Sequence, residues 1–579
     1  MEKTINSIGN WRLTAAVAGI VVATFAYRIE LYYLFWSALI IFSALFIYLV
    51  IVHHRVRKFY KYVAAILKIN DNSIKRLKGE WVDFQDIGEE FRDEGHEFSQ
   101  DLDILGRGSL FQWITTANTN FGRKKLKEIL TKPCHNFHKL SEKQEAMNEL
   151  GNKRWWRQKY QAEAMQIVEE MRDEQKLLAY MNSDNRFYAR RDMIFIIRIL
   201  PMITILTFLL AFGIRVIPKI IPVLAVLVHI VLLLLGLKER NKALKTIFTY
   251  QRNIKVYGKM LGHFEKTNFT SKYLRNLKDE IKNQERLLAF QQLKKLEKLV
   301  DSISNRGNML FLPINIILLW DYQCMIALER WKHHSGHLIE RWLKTLGEME
   351  ALSSLAMISF DYPHWAIPKF TSEASVLRAR DLGHPLLTNK QVHNDLIIEE
   401  PKRILLITGS NMSGKSTLLR TAGINLVLAY AGAPVCAQQF ECSFMRLFSC
   451  MRVSDNLEKS ISSFYAELLR IKEIVKAAEE DRQVFFLLDE IFKGTNSHDR
   501  HLGAKMLINK LCKQNAIGLV STHDLELGEL EKESNGKVVN YHFQEYYKED
   551  EIFFDYKLRR GVSTTRNALY LMKMAGIEN

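Results

Sequence analysis

Ile404-Leu405-Leu406-Ile407-Thr408-Gly409-Ser410-Asn411-Met412-Ser413-Gly414-Lys415-Ser416-Thr417 is the stretch on which the reading of this chain turns. Its first five residues form a short apolar run rich in branched side chains, which predicts a buried strand. The pattern G-x-x-x-x-G-K-S follows at once, and helical spacing resumes at Leu418. Strand, glycine-rich loop and helix in that order form a phosphate-cradling context. Gly409 and Gly414 let the backbone approach a phosphate chain with its N–H groups pointing inward, so residues 409–417 form the candidate nucleotide loop. Lys415 supplies positive charge to the outer phosphates, and Ser416 offers a hydroxyl to magnesium. The helix beginning near Lys415 adds its positive end to the anion site. A chance loop is the bland alternative.

Two later stretches weigh against chance. Val484-Phe485-Phe486-Leu487-Leu488 predicts a second apolar strand, ending in Asp489-Glu490. An aspartate there holds magnesium, and the adjacent glutamate orients or activates a water. Gly518-Leu519-Val520-Ser521-Thr522 ends in His523-Asp524, and a histidine just past a strand reaches a γ-phosphate. Taken singly, an acidic pair or a histidine is usually a solvated strand end. Their order and spacing favour nucleotide hydrolysis, with ATP and Mg2+ as the implied ligands and Glu490, His523 and Lys415 as the catalytic set.

With 579 residues the chain is too long for one core, so several domains are expected. Lys plus Arg outnumber Asp plus Glu by 81 to 64. That excess suits a nucleic-acid or an anionic-membrane partner and chooses neither. The six cysteines, Cys134, Cys324, Cys436, Cys442, Cys450 and Cys512, include no C-x-x-C pair. A zinc site is therefore disfavoured and a reducing compartment is the default.

Two apolar pairs stand out. Leu13 to Tyr27 and Leu31 to Val52 are separated by Arg28-Ile29-Glu30, and the second is long enough to span a bilayer. Trp11 and Tyr27 suit its interfaces. A cleaved signal peptide is the competing reading. The second segment and the absence of a clear small-residue cleavage site oppose it. His53-His54-Arg55-Val56-Arg57-Lys58 is a cytoplasmic type of flank, so residues 1–56 read as a transmembrane hairpin with both ends inside. Ile194 to Ile214 and Ile220 to Leu237 form the second hairpin, residues 194–237, between Arg190-Arg191 and Lys238-Glu239-Arg240. Prolines such as Pro201 and Pro222 are tolerated in such helices. Buried helices of a large soluble core are the alternative, because about 18 apolar residues lies near the spanning threshold. His229, in mid-segment, faces a helix partner more readily than it carries protons.

Residues 57–193 read as linker and helical core. Within them Trp81 to Gln100 is acidic and reads as a surface segment, Ser109 to Leu130 as a helix stopped by Pro133, and Leu140 to Leu150 and Ala162 to Met181 as amphipathic helices. Residues 238–362 read as further helices: Leu237 to Val300 is long and basic, either a solvated charged helix or a nucleic-acid contact, and Leu310 to Leu355 packs on it. Tyr362-Pro363-His364 breaks the run, and residues 363–579 hold the nucleotide module.

The motifs resemble those of the MutS mismatch-recognition family. Residues 408–417 are similar to its T-G-P-N-M-G-G-K-S-T, and Leu487-Leu488-Asp489-Glu490-Ile491 with Gly494-Thr495-Asn496 to its L-L-D-E-I-G-R-G-T-S. Ser462-Ser463-Phe464-Tyr465-Ala466-Glu467-Leu468 looks like its S-T-F-M-x-E-M loop, and Ser521-Thr522-His523 like its A-T-H. Gly383-His384-Pro385, Asn394-Asp395, Tyr556-Lys557-Leu558 and Ala575-Gly576-Ile577 resemble further pieces. Upstream, Asp101 to Leu110 looks like the family's core and Glu348 to Ala356 like the end of its levers. Departures accompany these. No Phe-x-Glu triplet precedes Leu110, Ser413 replaces a glycine, Gln391 stands about where relatives place an adenine-stacking aromatic, and an apolar hairpin interrupts the approach to the levers.

The resemblance implies an ABC-type, MutS-like α/β P-loop ATPase domain joined to an α-helical core and lever region with transmembrane helices. It implies a homodimer in which Ser462 is offered to the partner's nucleotide, and DNA as a partner. Lys415 would hold the β- and γ-phosphates, Ser416 and Asp489 the magnesium, Glu490 the attacking water, and His523 would sense the γ-phosphate. The expected location is the cytoplasmic membrane, with four spans in the bilayer and the ATPase domain facing the cytoplasm. An ATP-driven membrane scaffold or switch that never touches DNA is the main rival. A transporter is disfavoured, because four spans make a thin path.

Overall fold

The computed structural model describes residues 1–167, 174–183, 186–282, 288–304, 306, 311–387, 391–452, 463–480, 483–548 and 551–563. Ten strands are described, all C-terminal: β1 Lys369–Phe370, β2 Leu377–Leu382, β3 Asn394–Ile398, β4 Ile404–Thr408, β5 Gln439–Cys442, β6 Arg446–Cys450, β7 Val484–Asp489, β8 Ala516–Thr522, β9 Val538–Lys548 and β10 Glu551–Arg560. They form a small sheet ordered β1-β5-β2-β3 and a larger one ordered β10-β9-β4-β8-β7-β6. In the larger sheet β10 pairs antiparallel with β9, and the other pairings are parallel. Ile404 and Leu406 face one core while Leu405 and Ile407 face the other. A strand covered on both faces is apolar along its whole length, which is why β4 and β7 read as unbroken apolar runs.

The helix Lys415–Ala431 follows β4 and is buried over most of its surface. A Cβ placed on its Gly423 would lie 2.6 Å from Leu102 Cδ2, so the segment before Leu105 is pressed against it. The acidic stretch Trp81 to Gln100 lies at the surface, with Glu89, Glu90, Asp93 and Glu94 exposed, but it is anchored at both ends. Trp81 and Phe98 are 3% and 1% exposed, inside the main core. Glu97 pairs with Arg446, and Asp101 accepts from Ser449 Oγ (2.7 Å), the Arg452 N–H (2.9 Å) and Arg470 Nη1 (3.2 Å). Asp103 pairs with Arg420 and Arg452. Arginines of the α/β unit thus hold Glu97 and the following Asp101 and Asp103, while Arg123 of the helical half takes Asp86 and Glu90, and composition cannot reveal those partners.

The helical half is more finely broken than its sequence spacing suggests. Ser109 to Leu130 folds as Leu110–Ile114 and Asn120–Thr131. Thr119 Oγ1 caps the second helix by accepting from the Gly122 N–H at 2.9 Å, and Glu350 accepts from the Asn118 N–H at 2.8 Å. Asn120–Thr131 crosses the helix Ile339–Asp361 at two glycines: a Cβ on Gly347 would lie 2.7 Å from Phe121 O, and one on Gly122 2.8 Å from Glu350 Cβ. Ala162 to Met181 is not continuous either, since helices Arg154–Ala164 and Gln175–Asn182 occupy it. Leu237 to Val300 is four helices, Leu237–Thr249, Gln251–Glu265, Lys272–Glu280 and Ala289–Ser304. Capping drives the last break, for Glu265 accepts from the Ala289 N–H at 2.8 Å.

Among the described residues three helices are long and apolar enough to cross a membrane: Glu2–Arg28, Tyr32–Lys78 and Arg191–Ile214. The fourth expected span is shorter than its apolar sequence, being a helix Ile220–Leu234 of 15 residues that bends by 67° into Leu237–Thr249. A second bent pair, Phe311–Leu318 and Trp320–Asp361 at 71°, was expected only as packing helix. Tyr32–Lys78 has 47 residues, a rod of roughly 70 Å at 1.5 Å per residue. Its far end is locked into the core, where Arg76 Nε donates to Trp113 O at 2.7 Å and Nη2 to Thr115 O at 3.1 Å.

Candidate nucleotide site

Strand register assembles the site. β8 lies between β4 and β7, with Thr408 opposite Thr522 and Asp489 opposite Ser521. The glycine-rich loop, the Asp489-Glu490 pair and His523 therefore leave one edge of the sheet side by side. The carboxyl ends of parallel strands are where such sheets bind ligands.

The loop needs its glycines. Gly409 has φ +150° and Gly414 φ +105°, and a Cβ on Gly414 would lie 3.1 Å from Tyr556 Cδ1. Lys415 is 4% exposed and folds back over the loop, donating to the Gly409 and Ser410 carbonyls at 2.9 Å each. Burial lowers its pKa, against the pull of Glu490 and Asp489. Glu490 Oε1 lies 2.8 Å from His523 Nε2 and 4.0 Å from Lys415 Nζ, and Oε2 accepts from Lys493 Nζ at 2.8 Å. His523 Nε2 also lies 2.8 Å from Asn411 Oδ1. Both neighbours are acceptors, so Nε2 carries a hydrogen. The 3.4 Å approach of Lys415 Nζ to that nitrogen is then two donors gathered round one carboxylate. The His523 hydrogen bond, reinforced by Lys493, holds Glu490 down at about 2, so it is an anion across the physiological range.

A cavity of about 390 Å³ opens in front of the loop, in the range of ligand sites. Asn411, Met412, Ser413, Gly414, Lys415, Ser416, Thr417 and Glu490 line it on one side. Gly409 and Ser410 stand behind it: their carbonyls hold Lys415, and Ser410 Oγ donates to Glu545 Oε2 at 3.0 Å. Asp489 accepts from Ser521 Oγ at the end of β7. A hydroxyl at Ser416 and a carboxylate at Asp489 are hard oxygen donors, the chemistry magnesium takes. Ser462 lies outside the described residues, as does Ala575-Gly576-Ile577.

On the far wall Gln391 stands about where the resemblance places a stacking aromatic. Gln391 is fixed there, donating to His384 O at 2.9 Å with its carbonyl 2.9 Å from His393 Nε2. Two aromatics line the cavity, Phe543 and Tyr556, the latter from the irregular register between Phe554 and Leu558 in the β9–β10 pair. Asn394 pins that bulge by donating to Tyr556 O at 3.0 Å and accepting from the Leu558 N–H at 2.8 Å. Tyr556-Lys557-Leu558 and Asn394-Asp395 each carry a family-like pattern in the sequence, but only the fold brings the two together.

Residues 405–579 match the family model described as MutS domain V. The chain is 28% identical over 305 residues to DNA mismatch repair protein MutS of Listeria monocytogenes, covering 52% of this chain and 34% of that protein. Identity is 32% over 250 residues to MutS of Chlorobium phaeobacteroides, covering 42% and 28%. To DNA mismatch repair protein MSH3 of Debaryomyces hansenii it is 30% over 253 residues, covering 41% and 24%. These matches support the MutS family for the C-terminal part. The chain spans between 24% and 34% of the length of these curated relatives.

Proposed function

We propose that this chain is a membrane-anchored MutS-like ATPase that binds and hydrolyses ATP and binds DNA, in mismatch repair or related recognition of DNA structure. The observation that carries the hydrolytic reading is Glu490, kept anionic by His523 and Lys493 and facing Lys415 across the mouth of the glycine-rich loop. Lys415 leaves the Gly409 and Ser410 carbonyls to meet the outer phosphates, and the loop N–H groups cradle them. Glu490 orients the attacking water and accepts its proton; His523, shared between Glu490 and Asn411, reports whether the γ-phosphate is in place. Ser416 and Asp489 would hold Mg2+, which supplies positive charge to the phosphates when bound. The active unit is a homodimer, with Ser462 offered to the partner's nucleotide. The two apolar hairpins anchor it in the cytoplasmic membrane with the ATPase domain in the cytoplasm.

A scaffold or switch that never touches DNA is kept as a second reading for one reason. The basic region after Leu237 is broken into helices of 13, 15, 9 and 16 residues beside an apolar hairpin, not drawn out into a pair of long arms. Duplex and branched-DNA binding of the detergent-solubilised protein at about 50 mM salt separates the readings, since phosphate contacts are strongest there and weaken steeply as salt rises. Salt-sensitive binding supports the DNA reading, and no binding hands the case to the switch. ATP turnover by Lys415→Ala and Glu490→Gln tests the hydrolytic reading separately. Parental rates in both would end it.

A further inference from the structure

We propose that Phe311–Leu318 enters the bilayer beside the second apolar hairpin as a short re-entrant helix, latched to the hairpin by His229. The proposal rests on the membrane reading above and adds an element to it. The helix, FLPINIIL, carries no charge. Its one polar side chain, Asn315, is 7% exposed and turned inward, with Oδ1 accepting from the Asp321 N–H at 2.9 Å. What it presents outward is apolar: Leu312, Ile314 and Ile317 are 65%, 45% and 40% exposed. Water is a poor solvent for that surface, and lipid acyl chains are the solvent its hairpin neighbours already require.

The eight described residues Phe311–Leu318 span roughly 12 Å, well short of a hydrocarbon layer of about 30 Å. The chain instead turns at Leu319, φ +50°, into the helix beginning at Trp320. A helix that ends inside lipid leaves its last carbonyls without partners, and such groups are tolerated only where neighbouring elements satisfy them. Here they do. His229, 0% exposed, donates from Nδ1 to Ile316 O at 2.8 Å, and its Nε2 lies 3.1 Å from Thr204 Oγ1. The broken hairpin helix receives the same treatment: Tyr322 Oη donates to Leu232 O at 2.7 Å and Arg240 Nη1 to Leu235 O at 3.0 Å. These caps explain why a histidine sits in an otherwise apolar run.

The test uses full-length protein in phosphatidylcholine–phosphatidylglycerol vesicles, with Cys134→Ser and a nitroxide on one introduced cysteine; the other five native cysteines are buried. Leu312→Cys is compared with Leu206→Cys in the hairpin and Lys272→Cys on a polar helix. Collisions with oxygen and with a water-soluble nickel complex are measured at each. The expected result is an oxygen-to-nickel ratio at Leu312 matching that at Leu206 and several-fold above that at Lys272. Nickel access at Leu312 with oxygen preference at Leu206 overturns the re-entrant helix and leaves the hairpin standing, whereas nickel access at both positions sinks the membrane reading itself. Exclusion of both reagents at Leu312 means a protein covers the helix and also overturns the proposal. His229→Leu should shift Leu312 toward the water-like ratio with Leu206 unchanged; no shift removes His229 as the latch.

Discussion

Glu490, at the end of β7, and Glu350, in the helix Ile339–Asp361, are the same side chain in opposite circumstances. Glu490 faces a cleft with His523 and Lys493 on its two oxygens and is held at about 2. Glu350 is 3% exposed, and burial pushes it up to about 7, against the Thr119 hydroxyl and the Asn118 and Thr119 N–H groups that favour its anion. Cations flank the first carboxylate and, among the described residues, none is bonded to the second, and that decides which acid is charged at neutral pH. The cleft keeps a carboxylate ready for chemistry. The joint between helices uses one to close a helix start.

The comparison breaks most visibly in turnover. Glu490→Gln keeps the shape and removes the base, so single-turnover hydrolysis should fall by about 10²–10⁴-fold with ATP still bound, while Glu350→Gln should stay near the parental rate. Comparable losses in both would mean that the joint and the cleft are one catalytic unit. Next in size is Lys415→Ala. Losing charge-assisted hydrogen bonds to phosphate should cost about 1.5–3 kcal/mol, read as roughly 10- to 100-fold weaker ATP in equilibrium binding. On the other side of the comparison, Gly122→Val forces a branched side chain against Glu350 and should cost about 1–3 kcal/mol. The readout is a lower thermal midpoint in detergent with ATP affinity unchanged.

The smallest effect is in pH dependence, where the two acids have opposite signs. Glu350 is raised from 4.5 to about 7 in the folded chain. The folded joint therefore holds a proton that the unfolded chain releases, and stability falls as pH rises through that window. Glu350→Gln should flatten this slope between pH 5 and 7.5. Glu490, lowered to about 2, contributes stability above its unfolded value and loses it as pH falls toward 2. His523→Gln, which removes the largest cause of the lowering, should move that acid loss to higher pH, and Lys493→Gln should move it less.

Much of the α/β unit was legible in the sequence. The apolar runs before Gly409 and Asp489 are strands buried on both faces, and burial on both faces writes itself into consecutive residues. The helix breaks were less so. Ser109 to Leu130 carries helical spacing throughout, yet Thr119 and the distant Glu350 interrupt it. Trp81 to Gln100 has a surface composition and is exposed over its middle, yet Trp81 and Phe98 at its ends are buried, and Glu97 and the following Asp101 meet Arg446, Arg452 and Arg470 hundreds of residues later. At the site, Lys415, Glu490 and Asn411 were readable from spacing. Tyr556 was marked only as part of a family-like triplet and Lys493 not at all, so neither had a role before the fold brought it to the site.

By itself, then, the sequence determined the local things: the phosphate loop, the strand ends that carry Asp489, Glu490 and His523, and the apolar segments. Each depends on residues within a few positions of one another, and periodicity and turn chemistry act at that range. Tertiary structure alone decided the rest. It placed β8 between β4 and β7 so that three separate strand ends meet, tied Glu97, Asp101 and Asp103 to remote arginines, and set one glutamate at about 2 and another at about 7. Charge state and packing depend on neighbours brought together across the fold, and linear order does not carry that information.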